Sequence, residues 1–179
     1  MVPAAAATNT DMQLTATVTE VQPILNYDVY LRLDGITGDS LVKRFEKWIK
    51  LTGIQLETAN ADVVGSRGGG GAGKAELKNF IVMKQSDSAS VPLLVSSFNE
   101  NHIKNGQIAF VTRTGDPKTI LSFDLGSIIV ANYKFNNATE IITLKMDSIR
   151  MNYFQQKSDG SLSAPISGGW DFFKNQVIK

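Results

Sequence analysis

Gly68, Gly73 and Lys74 stand at the G-x-x-x-x-G-K spacing with which a loop cradles nucleotide phosphates, but Ala75 occupies the position where a Ser or Thr hydroxyl would hold magnesium. The next residues decide against nucleotide chemistry. A phosphate loop must open a helix, so that backbone N–H groups and the helix dipole meet the anion. Here Ala75, Leu77, Asn79, Ile81 and Met83 alternate with Glu76, Lys78, Phe80 and Val82, the two-residue period of a strand. The stretch is read as a polar, glycine-rich loop leading into a half-buried strand.

Other groups capable of chemistry are equally isolated. His102 is the only histidine, and without cysteine or a neighbouring carboxylate pair it has no metal-ligand spacing. No Ser-His-Asp set can be assembled. Asp34 and Asp39 flank a glycine turn but lack the alternating ligands and closing Glu of a calcium loop, so they are read as turn makers. Tyr133, Phe135, Tyr153, Phe154, Trp170, Phe172 and Phe173 could stack on bases or sugars, yet no basic stripe accompanies them. Core and subunit interface are the better roles. Lys43, Arg44, Lys47 and Lys50, interrupted by Glu46, read as a solvated face. No catalytic residue, metal site or cofactor is expected.

Composition narrows the classes further. Lys and Arg number 18 against 17 Asp and Glu, so no global field draws the chain to nucleic acid or to an anionic membrane. The absence of cysteine removes thiol catalysis and disulfides. No apolar run approaches the ~20 residues of a membrane-spanning helix, so a soluble protein with no membrane insertion is expected. Residues 1–10 carry an alanine run but no basic residues before it, and too short an apolar core for a secretory signal.

The elements that would position these residues are mostly strands. Residues 1–26 read as an N-terminal extension, with weak alternation between Leu14 and Val21, and residues 27–179 as one β domain. The first strand alternates at Tyr27, Val29, Leu31 and Leu33. Residues 47–57 read as a second strand with Gly53 as a bulge, placing Ile54 and Leu56 toward the core and Gln55 and Glu57 on the other side. Residues 74–84 give the third. Residues 88–98 form a short amphipathic helix, with a serine hydroxyl at its cap, Pro92 in its first turn and an apolar face at Val91, Leu94, Val95 and Phe98. Further strands are expected at 107–112, 119–124, 127–134, 141–153 and 169–175, with turns at Gly115-Asp116-Pro117 and Asn136-Asn137. Seven or eight short strands around one helix suggest a closed or nearly closed antiparallel β-barrel, with an edge left free only where a neighbour pairs with it.

In the order and spacing of several segments the chain resembles the Hcp family, the haemolysin-coregulated tube proteins of bacterial type VI secretion. The segments are residues 29–40, 68–84, 102–104, 128–133, 153–161 and 168–172, spread from about Tyr27 to the C-terminus. The resemblance implies a β-barrel with one flanking helix, six copies of which form a ring. Rings stack into a tube inside a contractile sheath and are expelled with a VgrG-like spike protein and effector proteins. Such a protein assembles in the bacterial cytoplasm and is then secreted. It also implies that Val63, Val64, Gly65, Ser66, Arg67, Gly68, Gly69, Gly70, Gly71, Ala72 and Gly73 form a loop reaching the neighbouring ring, and that Gln55 and Glu57 line the lumen. A solitary exported barrel that binds without forming a tube is the alternative. The extension at residues 1–26 departs from the family pattern, as do Ile54 and Leu56 where the family often carries tryptophan.

Overall fold

Alternation of apolar and polar side chains does build most of the chain, as β4 shows: Phe80, Val82 and Lys84 are fully buried while their neighbours are not. The computed structural model describes residues 27–60, 75–99 and 101–178. Within these lie β1 (Tyr27–Leu33), β2 (Ile49–Leu51), β3 (Gly53–Asn60), β4 (Ala75–Gln85), α1 (Ser90–Asn99), β5 (Ile103–Thr112), β6 (Thr119–Asn136), β7 (Thr139–Tyr153), β8 (Ile166–Asp171) and β9 (Gln176–Ile178). Every named strand pair is antiparallel, so the mainly β architecture with one short helix is as expected.

The strand order is β2-β1-β5-β6-β7-β4-β3, with β8 on the far half of β7 and β9 beyond it. Among the described residues β2 and β3 do not pair with each other, so the strand ladder does not run full circle. Its two outermost strands are instead joined through Thr52, whose N–H donates to the Met83 carbonyl at 2.8 Å. Residues 47–57 are therefore two strands meeting at a corner, not one strand bulged at Gly53: β2 serves β1 and β3 serves β4. The single-strand reading fails because alternation persists through a corner while the hydrogen-bonding partner changes.

Residues 119–136 reverse that error, forming one 18-residue strand where two were expected. Ser127 takes a φ of 53° in its middle, and beside it a Cβ at Gly126 would meet the Ser148 hydroxyl, which would have to rotate away. Before this point Phe123 and Leu125 are buried; after it, Ile128 and Val130. The partner strand β7 changes phase at the same place, from Ile142, Leu144 and Met146 to Ile149. Both strands turn together and keep one core. At the other end the expected 169–175 strand is instead the end of β8 and the turn after it, with β9 beginning only at Gln176.

The β6-β7 hairpin closes at Asn137 and Ala138, both at positive φ, one residue beyond the expected Asn136-Asn137 turn. The other face of β1 and β5 is covered by the 37–48 loop. There Phe45 stacks on Tyr30 at 5.3 Å between ring centroids, and Arg32 lies over Trp48. Gly38 fits this loop against the backbone of Trp48 and Ile49, where a Cβ would come within 2.6 Å of both. Gly38→Ala is expected to cost about 1–3 kcal/mol by overpacking, read as a lower melting temperature in thermal denaturation.

Helix α1 forms where expected but differs in its cap and in its buried face. Asp87 caps it: its Oδ1 accepts from Ala89 N–H at 2.9 Å, and its own N–H donates to Ser90 Oγ at 2.9 Å, a reciprocal pair of the capping-box kind. Leu93 and Ser96, with Ala89 just before the helix, pack inward. The stripe expected to face the core, Val91, Leu94, Val95 and Phe98, is exposed instead, Val91 at 70% and Phe98 at 78%.

Candidate functional site

Of the strand edges left without partners among the described residues, which include those of β2 and β9, two bound the same four-stranded run. In the run β6-β7-β4-β3, β3 pairs only with β4, and residues 129–136 of β6 pair only with β7. The two stretches are of matching length. Such edges present rows of unpaired N–H and C=O groups and invite another strand. Cross-strand rows set the face between them: Gln55, Ile81, Thr143 and Asn132 lie opposite one another in turn across the four strands.

Gln55 and Glu57 are exposed on that face, and Asn79 Nδ2 donates to Glu57 Oε2 at 2.7 Å. On the other face of β3, Ile54 packs against the core, whereas Leu56 is 39% exposed. Leu56 lines an apolar cleft of about 340 Å³ with Phe123, Met151, Trp170 and Phe172, where β4 and β8 part from β7. The expected ring-contact loop, Val63 to Gly73, lies outside the described residues, as do Gly68, Gly73 and Lys74 of the phosphate-loop spacing. The segment after it is strand β4 and not a helix.

The remaining candidates make local contacts. Asp34 accepts from Asn105 Nδ2 at 2.8 Å, and Asp39 is held by the Ser88 hydroxyl and N–H. Lys43 and Arg44 reach Asp116 as exposed pairs of small energetic weight, and Lys50 reaches the half-buried Asp28. His102 is exposed and lies 3.5 Å from Ser127 Oγ. Among the described residues no group of three or more metal-ligating side chains forms, and no helix is long and apolar enough to cross a membrane.

One polar cluster was missed. Lys84 and Glu140 are fully buried and paired at 2.8 Å, and Lys84 also reaches Asp87 Oδ1 at 2.8 Å and Ser90 Oγ at 3.0 Å. The Ser90 hydroxyl donates to the other Glu140 oxygen at 2.5 Å. Burial pushes the Tyr133 phenol up to about 12, assisted by the Glu140 charge and a hydrogen bond to it. For Glu140 burial works upward, but hydrogen bonds from Lys84, Ser90 and Ser86 outweigh it and hold the carboxyl below its ordinary range. The network ties the start of α1 to β4 and β7. Its signal was present in the sequence: opposite charges sit at the buried phase of two strands, Lys84 after Phe80 and Val82, and Glu140 before Ile142 and Leu144.

Solved structures share this architecture. One described as a type six secretion system protein aligns with a TM-score of 0.76 at 23% identity, covering 85% of this chain and 99% of its own. Hcp1 from Salmonella typhimurium aligns at 0.66 and 20%, covering 85% and 99%. A type VI secretion system effector from Yersinia pestis aligns at 0.64 and 23%, covering 80% and 99%. No curated protein sequence matches the chain. A sequence profile of the type VI secretion system effector Hcp family matches residues 30–156, most of the chain and nearly all of the barrel. With the fold in agreement, the chain belongs to the Hcp family of type VI secretion.

Proposed function

We propose that this chain works by assembly: six copies close into a ring, rings stack into the tube of a type VI secretion machine, and effector proteins travel in the lumen. The observation that carries this reading is the four-stranded run β6-β7-β4-β3, open at both ends. Pairing β3 of one copy with residues 129–136 of β6 on the next joins two different surfaces, and a heterologous contact of this kind generates a ring when its rotation closes. Edge pairing satisfies the free backbone groups, which are otherwise an aggregation hazard.

In the ring, the face bearing Gln55 and Glu57 lines the channel, where polar side chains keep a wide lumen hydrated. The loop from Val63 to Gly73, placed between β3 and β4, reaches the adjacent ring; its glycines accept the backbone conformations that a packed contact demands. The assembled tube acts inside a contractile sheath with a VgrG-like spike, first in the bacterial cytoplasm and then outside the cell.

Native mass measurement tests the reading, and the expected result is six copies with uniform annuli in negative stain. A protein that remains single at high concentration would overturn the ring and leave a solitary β-barrel module.

A further inference from the structure

The exposed stripe of α1 needs an explanation. A helix on the surface of a monomer presents charged and polar residues outward, yet α1 has no charged residue at all and points Val91, Val95 and Phe98 away from the core. A second uncharged stretch, residues 160–170, leads into and forms most of β8. On the side of the β7-β8 pair that carries Trp170, Met151 and Ile166 are exposed at 45% and 72%. The two patches differ in shape, one a helical ridge and the other the rim of the cleft beside Leu56 and Trp170.

Their positions relate them. Helix α1 packs on β6, which carries one free edge of the four-stranded run. The β8 corner shares its cleft with Leu56, Thr58 and Ala59 of β3, the other free edge. When β6 of one copy pairs with β3 of the next, the ridge and the rim fall on the same side of the same junction. The ridge exposes roughly 300 Å² of apolar surface judged from side-chain size. That is a little over a third of the ~800 Å² per partner of a standard interface, and the paired strand edges supply the remainder.

We infer that α1 docks its Val91, Val95 and Phe98 ridge onto the β7-β8 corner of a second copy of this chain, the corner marked by Met151 and Ile166. The inference rests on the ring reading above and names the surface that closes each junction. Apolar burial supplies affinity, and the absence of charge from α1 and from residues 160–170 avoids leaving an unpaired ion in the contact.

Phe98→Lys tests it, since a lysine there would bury an unpaired charge and weaken association by about a hundredfold or more. The variant is expected to run as a single copy in native mass measurement with its melting temperature as a monomer unchanged. Leu41→Lys, at an isolated and fully exposed side chain of the 37–48 loop, is expected to keep six copies. Because the natural chain has no cysteine, Phe98→Cys and Ile166→Cys proteins can also be mixed and treated with a short bis-maleimide. A covalent dimer from the mixture, well above that from either protein alone, is expected. Assembly of Phe98→Lys at the wild-type concentration would overturn the docking and leave the ring intact. Equal loss of rings in both lysine variants would overturn it as well. A wild-type chain that never assembles would instead remove the ring reading itself.

Discussion

Lys84→Met is expected to lower the unfolding free energy by about 3–5 kcal/mol, because it leaves the Glu140 carboxylate buried with its cationic partner gone. At roughly 2–4 °C per kcal/mol for a chain of this size, the melting temperature falls by about 6–20 °C. Replacing both partners, as Lys84→Met with Glu140→Leu, is expected to restore most of the loss, since a buried pair exchanged for apolar groups is often neutral. A single variant within about 0.5 kcal/mol of wild type, the scatter of ordinary surface substitutions, would remove the network from the account of stability.

The same cluster sets a pH window. The Glu140 carboxyl is held below its ordinary value of 4.5, so its contribution is present above that value and is lost as pH falls through the lower, folded-state one. Tyr133 works at the other end. Its phenol, pushed from 10.0 to about 12, contributes fully below pH 10 and loses its contribution as pH rises toward 12. Denaturation midpoints of wild type and Glu140→Gln across the acid range check the first arm, with the variant expected to depend less on pH.

Proline scanning of β3 is expected to give the largest effect on assembly. Along an edge strand, successive N–H groups point alternately to the paired neighbour and away from it, so of Gln55 and Leu56 one donates toward β4 and the other toward the free side. Proline at the outward position removes a donor from the junction and sets its ring against the incoming strand, while the β3-β4 ladder stays whole. Losing that bond, together with one or two beside it that the ring displaces, at about 1 kcal/mol each, weakens every junction by on the order of a hundredfold. The outward variant should fold with a wild-type circular dichroism spectrum yet give single copies; the inward one should destabilise the chain. If both fold and both give six copies, β3 is not at a junction.

How much of this was legible beforehand varied with the physics of each segment. Alternation at Tyr27 to Leu33 and along residues 141–153 marked strands directly, because one side of each is buried and the other is not. The corner at Thr52 was not legible, since alternation reports which side is buried and is silent on which neighbour supplies the hydrogen bonds. Helix α1 was legible in extent but misread in orientation. The reading assumed that an apolar stripe must face its own chain, whereas the core takes Leu93 and Ser96. That misreading is itself informative, because it separates a face made for this chain's interior from a face left outside. The glycine-rich loop gave its composition, and the contact expected of Val63 to Gly73 remains a proposal.

The paired change of phase at Gly126-Ser127 and Asp147-Ser148 bears on how this chain tolerates changes of length. Deleting one residue from β6 near the bend would turn its outer half inside out while β7 stayed as it was, opposing greasy side chains to polar ones across the ladder. A matching deletion in β7 would restore agreement between the two strands. Descendants of this sequence should therefore gain or lose residues there in couples, one on each arm of the hairpin, or not at all.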